Sequence, residues 1–180
     1  MTTMTKPHFT VLAVTTIDGR IARYRGHLSD WSSQEDKDAL HAELDRSDVI
    51  VIGRTTYQLV EDRLAGRNCL VFTRSVEGVV RRGEHCLYCN ADQVDFEDVL
   101  TQYGYGRVAI LGGTQVYSWF LKRNLIDELY LTIEPLVFGT GLSLFATEVA
   151  DQRYDLVSVK PLNHRGTLLI HYRKSLYANT

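Results

Sequence analysis

The sequence predicts an α/β domain built on parallel strands, and three observations carry that prediction. Residues 108–111, Val-Ala-Ile-Leu, form an unbroken apolar run that passes through Gly112-Gly113 into an amphipathic segment with Val116, Phe120 and Leu121. A strand buried on both faces hands the chain to a helix in this way. Two further apolar runs, residues 48–52 and Cys69–Phe72, also end in turn, hydroxyl and cationic residues: Gly53-Arg54-Thr55-Thr56 and Thr73-Arg74-Ser75. At the C-terminal end, Tyr154–Pro161 and residues 167–173 alternate apolar and polar residues around Asn163-His164-Arg165-Gly166, the pattern of an antiparallel hairpin at a sheet edge.

Composition narrows the function classes. The 180 residues are 44% hydrophobic, enough to bury one substantial core, so a single domain over residues 1–180 is the simplest partition. A net charge of -2 supplies no basic field for nucleic acid. No run approaches the roughly 18 apolar residues of a membrane span. Residues 1–7 are polar and lack a signal-peptide core, so a cytoplasmic location is expected. The three cysteines do not make a disulfide framework. Cys86 and Cys89 have CxxC spacing but no second pair, and their setting reads as a strand, so reduced thiols and no metal are expected.

Taken in order, residues 8–16 read as a central strand, and Ile17-Asp18-Gly19-Arg20-Ile21-Ala22 as a turn at its C-terminal end, where open α/β sheets bind ligands. Residues 24–30 are a polar surface loop. Ser32 or Ser33 can cap a helix that runs to about Arg46 and buries Ala39, Leu40 and Leu44. Its first-turn acids Glu35, Asp36 and Asp38 admit two readings: charges that complement the helix dipole, or a carboxylate at a cleft rim, positioned by Trp31, that binds substrate nitrogens or supplies a proton.

After the run at 48–52, Thr55 or Thr56 can cap a second helix with Arg54 beside it. Residues 77–92 read as a polar turn followed by a strand at Cys86–Cys89, and residues 94–103 as a helix stopped by Gly104. Residues 127–134 alternate as a strand that Pro135 ends, and residues 139–141 form a flexible turn before 142–145.

Three strand ends therefore carry phosphate-compatible groups on one edge of a parallel sheet. The unpaired N–H groups after Gly112-Gly113 suit a pyrophosphate. Arg54, Arg74 and Ser75 can take a phosphate monoester. Together they point to a dinucleotide with an extra 2'-phosphate, NADPH rather than NADH.

In this order, the motifs resemble the dihydrofolate reductase superfamily, and most closely its riboflavin-biosynthesis branch, the RibD C-terminal domain and its stand-alone relatives. The residues carrying the likeness are 13–22, 31–38, 51–57, 73–75, 110–117 and 126–141, nearly the whole chain. The resemblance implies a three-layer fold, a mixed, mainly parallel sheet with flanking helices, with NADPH as hydride donor and no metal. It implies that Ala13, Ile17 and Ile21 line the nicotinamide, with Asp18 and Gly19 in the loop closing over it. Gly53, Arg54, Thr55 and Thr56 would hold phosphates and ribose, and Thr73, Arg74 and Ser75 the 2'-phosphate. Leu111, Gly112, Gly113, Thr114, Gln115, Val116 and Tyr117 would meet the pyrophosphate and nicotinamide ribose. Asp36, paired with Thr132, matches the superfamily's acid, and Trp31, Asp36 and Tyr57 would touch substrate.

Three departures stand out: Thr114 replaces a third glycine, Leu12 stands where the riboflavin branch often has lysine, and no zinc-deaminase motif is present. The activity implied is that of a 5-amino-6-(5-phosphoribosylamino)uracil reductase acting on a pyrimidine- or pterin-like small molecule, with hydride going to C1 of an opened ribose in the riboflavin reaction. The alternatives are a dihydrofolate reductase and a non-catalytic NADP(H)-binding protein. A homodimer joined through residues 136–145 or the C-terminal hairpin is expected, with neither nucleic acid nor membrane as partner.

Overall fold

Apolar runs that show no alternation need cover on both faces, and the fold supplies it. The computed structural model describes residues 6–176; residues 1–5, most of the polar N-terminal segment, and 177–180 lie outside it. Along the chain come strand β1 (His8–Thr16), β2 (Arg20–Ala22), helix α1 (Gln34–Asp45), β3 (Val49–Gly53), α2 (Arg54–Val60) and a 3-10 turn at Glu61–Leu64. Next are β4 (Cys69–Phe72), β5 (Val79–Arg81), β6 (Cys86–Cys89), α3 (Phe96–Tyr103), β7 (Arg107–Gly112) and α4 (Thr114–Lys122). The chain continues through β8 (Glu128–Glu134), β9 (Leu142–Ser143), β10 (Tyr154–Pro161) and β11 (Leu168–Lys174).

Nine of these strands form one sheet in the order β10-β11-β8-β1-β7-β3-β4-β6-β5. The six central strands, β8 to β6, are mutually parallel; β11 and β5 run against them, and β10 pairs antiparallel with β11 at the edge. The sheet is mixed and mainly parallel, and the C-terminal hairpin lies at its edge as its alternating pattern predicts. β2 and β9 make a separate small pairing.

Side chains alternate across the central strands and split the core in two. Val49 and Val51 face a cluster with Leu100, Val116 and Phe120 from α3 and α4. Ile50 and Ile52 face Leu44 and Tyr57 from α1 and α2. Successive strand residues point to opposite faces, so both must be apolar, which makes the runs continuous.

Local chemistry sets the helix ends. Ser33 caps α1, its hydroxyl accepting the Asp36 N–H at 3.3 Å. Asp95 caps α3 by accepting from Glu97 and Asp98, and Gly104 closes it at φ 72, a left-handed conformation glycine takes without strain.

Several boundaries differ from the sequence expectation. α2 is capped by Gly53 with no side-chain bond, so Thr55 and Thr56 sit inside its first turn. Val94 precedes α3, and the expected polar turn at 77–92 contains β5. Along α1 only Asp36 and Leu44 are buried; Leu40 is partly buried against the core, and it and Ala39 also line an open cleft.

The cysteines are free and buried. Burial pushes the Cys69 thiol up to about 12 and Cys89 up to about 11, which leaves them unreactive.

Phe120 is fully buried, with Phe9, Phe72, Phe96 and Trp119 around its ring. Phe120→Ala should cost about 3–5 kcal/mol, read as a lower urea midpoint with an unchanged slope. A loss below about 1 kcal/mol would mean that this ring cluster does not hold α4 to the sheet.

Candidate functional site

Parallel strands bring their C-terminal ends to one edge of the sheet, and there a cleft of about 1610 Å³ opens between α1 and α2 and extends past the start of α4. The ends of β7, β3 and β4, adjacent in the sheet, form its floor.

The turn after β7 is closely packed. Gly112 has φ 87, and a Cβ placed on it would lie 2.4 Å from the Tyr117 ring. The Gly112–Gly113 peptide is cis. Tyr117 is buried, and its hydroxyl donates to the Leu12 carbonyl at 2.7 Å, tying α4 to β1. Burial pushes the Tyr117 phenol well above its ordinary value, so it stays a donor.

The turn after β3 packs alongside: a Cβ on Gly53 would meet Val116 Cγ2 at 3.3 Å and the Gly112 carbonyl at 3.6 Å. Gly53 and Gly113 are both helix caps without a side-chain bond. In α4 the Val116 N–H donates to the Gly113 carbonyl at 2.9 Å, which leaves the Thr114 and Gln115 N–H groups at the cleft for an anion. Arg54 and Arg74 stand at the cleft with no hydrogen bond or ion pair among the described residues. Thr73 and Ser75 are bonded to each other at 2.9 Å beside Arg74.

At the other end lies Asp36. The first turn of α1 holds Glu35 and Asp36, and Asp38 lies just beyond it; of the three Asp36 alone is buried, while Glu35 and Asp38 are exposed and bond Asn163 and Gln34. Burial raises the Asp36 carboxyl above its ordinary value, hydrogen bonds from Thr132 and Ser32 oppose this, and the Glu134 charge adds to the rise. Leu12, Leu40, Leu44 and Tyr130 line this end of the cleft. Leu12, at the position where the riboflavin branch often has lysine, thus contributes to an apolar wall.

Of the residues singled out in the sequence, Ala13, Ile21, Asp36, Gly53, Arg54, Thr55, Thr56, Thr73, Arg74, Ser75, Leu111, Gly113, Thr114, Gln115, Val116, Tyr117 and Thr132 line this one cleft. Five lie off its wall. Ile17 is 64% exposed, and Gly19 occupies a left-handed turn beside it. Gly112 lies beneath the surface, against Tyr117. Trp31 packs edge-on to Phe138. Tyr57 is buried under α2 against Tyr88 and bonds Glu61.

Thr114, in place of a third glycine, donates its hydroxyl to the Ser143 carbonyl at 2.6 Å. The Asp18 carboxylate accepts from Thr16 and from the Phe138 and Gly139 N–H groups, bonds that hold it below its ordinary value. The loop after β1 is thereby tied to the loop after β8. Gly141, read as a flexible turn, instead packs so closely on β2 that a Cβ would meet the Ala22 carbonyl.

Sequence reasoning missed three groups of residues. Ser32 bonds Asp36. Glu134, two residues after Thr132 on the same strand face, reaches the start of α1; the period-2 rule applied to Thr132 could have found it. Trp119, Asp92 and Arg123 extend the far end, Arg123 lying 3.9 Å above the Trp119 ring. Among the described residues no group of His, Cys, Asp and Glu could hold a metal ion, and no helix is long and apolar enough to cross a membrane.

A mixed, mainly parallel sheet flanked by helices, with its cleft at the strand ends, is the dihydrofolate-reductase-like fold. The RibD C-terminal domain family matches residues 7–74 and 69–167, and the chain belongs to that family of riboflavin-biosynthesis-type reductase domains. It is 28% identical over 159 residues to the uncharacterized protein YwjB of Bacillus subtilis, covering 84% of this chain and 85% of that one. It is also 28% identical over 162 residues to riboflavin biosynthesis protein RibD of Corynebacterium ammoniagenes, covering 78% of this chain and 47% of the relative, so it spans about half of that protein.

Two solved structures share the fold. One is the deaminase/5-amino-6-(5-phosphoribosylamino)uracil reductase of Thermotoga maritima, with TM-score 0.75 and 18% identity over 94% of this chain and 57% of that one. The other is dihydrofolate reductase from Enterococcus faecalis complexed with NADP(H), with TM-score 0.63 and 20% identity over 93% and 96%.

Asp36→Asn tests the buried acid. The folded protein holds the Asp36 proton more tightly than the unfolded chain. Stability therefore falls as pH rises from the ordinary aspartate value through the raised one, then levels off. The asparagine side chain carries no charge, so the variant should be more stable than the parent by about 1 kcal/mol near neutral pH, with the gain vanishing towards about pH 4. A variant less stable at every pH would show that the Thr132 and Ser32 bonds outweigh the desolvation.

Proposed function

We propose that the chain is an NADPH-dependent reductase, resembling 5-amino-6-(5-phosphoribosylamino)uracil reductase, that acts on a pyrimidine- or pterin-like substrate. The observation that carries this reading is one cleft with two glycine turns and two unpaired arginines at one end and the buried Asp36 at the other. The residues present fit the cofactor: Gly53 and Gly113 bring bare backbone to the cleft wall, and a Cβ on Gly53 would already crowd Val116. Family membership and the RibD and dihydrofolate reductase neighbours support the same reading.

Gly113 to Tyr117 and Gly53 to Thr56 would hold the pyrophosphate and riboses. Arg54, Arg74 and Ser75 would hold the 2'-phosphate through charge-assisted bonds. Ala13 and Ile21 would exclude water from the nicotinamide face. When bound, the cofactor supplies a hydride. Asp36, held by Thr132 and Ser32, orients the substrate ring and holds a proton at its carboxyl.

A dihydrofolate reductase is the second reading, favoured by the Asp36–Thr132 pair and by the apolar wall at Leu12. Binding without turnover is the third. A homodimer belongs to the same proposal, and the exposed Leu156, Val157 and Val159 on edge strand β10 support it.

NADPH should raise the melting temperature well above the shift given by NADH. Arg74→Ala should weaken NADPH binding by about tenfold to a hundredfold and leave NADH binding unchanged, measured by calorimetry. Equal shifts for the two cofactors would overturn the 2'-phosphate assignment. Loss of NADPH absorbance with 5-amino-6-(5-phosphoribosylamino)uracil, but not with dihydrofolate, would select the first reading, and the reverse the second. No loss with either, alongside tight NADPH binding, would select the third.

A further inference from the structure

Asp36 and Glu134 are the two buried carboxylates among the described residues. Glu134 ends β8, two residues beyond Thr132, so the two side chains share a strand face. Both Glu134 oxygens accept: Oε1 takes the Ser33 N–H at 2.7 Å and Oε2 the Thr167 hydroxyl at 2.7 Å. Ser33 is in turn the cap whose hydroxyl accepts the Asp36 N–H. One carboxylate thus grips the start of α1 from the strand, while the other reaches from the helix back to Thr132. A buried acid with both oxygens accepting and neither donating has the bonding pattern of a carboxylate. Two such groups at one helix start disfavour a second negative charge.

The geometry points to Glu134 as a positioning residue for Asp36: it anchors the first turn of α1 through Ser33 and biases the neighbouring Asp36 carboxyl towards keeping its proton. The other charged or titratable groups bearing on Asp36 are Lys37 on its own helix and the Tyr117 phenol from α4. On the hairpin side, Asn163 bonds both Thr167 and Glu35, and Arg165 faces Glu35. Burial contributes most to Asp36's retention of its proton, and the Glu134 charge adds to it. The use of that proton in a reduction rests on the reductase reading; the coupling of the two acids does not.

The test is a 13C NMR titration of protein labelled at the aspartate carboxyl carbon, with the Asp36 signal assigned by its loss in Asp36→Asn. Glu134→Gln keeps size and both bonds, because the Thr167 hydroxyl can accept as well as donate, and removes the charge. The Asp36 midpoint should fall towards the ordinary aspartate value in this variant. An unchanged midpoint would overturn the proposal.

Should Glu134→Gln fail to fold, the unsubstituted protein decides. The Ser33 amide proton, held by Glu134, should shift together with the Asp36 carbon over the same pH range. An Asp36 transition with no accompanying Ser33 shift would contradict the coupling. Neither arm needs turnover, so a protein that binds no NADPH could still show the coupling, and an active reductase could lack it.

Discussion

The contact between Gly112 and the Tyr117 ring is the constraint on which the site depends. No side chain fits at position 112, because its Cβ would lie 2.4 Å from that ring, and the ring is held in turn by the hydroxyl bond to the Leu12 carbonyl. β7 therefore ends, α4 begins and β1 passes alongside at one point. These contacts fasten the start of α4 to the sheet edge, with Thr114 and Gln115 at the cleft. Gly53, packed on Val116 and on the Gly112 carbonyl, brings the start of α2 to the same place.

Charge is distributed along the cleft with the same economy. Cations and uncapped helix starts gather at the ends of β7, β3 and β4, where an anion would be held without burying a charge on the protein. The one buried carboxylate on the cleft wall among the described residues is Asp36, and it sits where burial and a second acid raise the cost of its ionised form. The two ends suit different chemistry: one binds fixed negative charge, and the other meets a ring that can share a proton. The Asp18 bonds to Phe138 and Gly139, with Thr114 on Ser143, tie together the loops between those ends.

The sequence made the strands legible because residues such as Val49, Ile50, Val51 and Ile52 have helices on both sides and must all be apolar. It also made legible the gathering of Gly53, Arg54, Arg74 and Gly113, since parallel neighbours put their C-terminal ends together. Depth was harder to read. Glu35, Asp36 and Asp38 look alike in sequence, and what separates them is β8, which brings Thr132 and Glu134 against one of the three.

Ile17, Trp31 and Tyr57 sit next to cleft residues in the chain, yet backbone direction turns Ile17 to solvent and Tyr57 into the core. Ala39 and Leu40 complete an apolar stripe that looks like core and also walls the cleft, with Leu40 packed on the core. Gly141 reads as slack and is tight packing, because its partner, Ala22, is distant in sequence.

The central claim is that one end of this cleft holds the phosphates of NADPH and places the nicotinamide beside Ala13, facing Asp36. An intermolecular NOE experiment on protein carrying 13C-labelled alanine methyls, saturated with NADPH, addresses it most directly. The account predicts cross-peaks between the nicotinamide protons and the Ala13 methyl. Cross-peaks to alanine methyls away from the cleft, or none to Ala13 in a fully saturated complex, would contradict it.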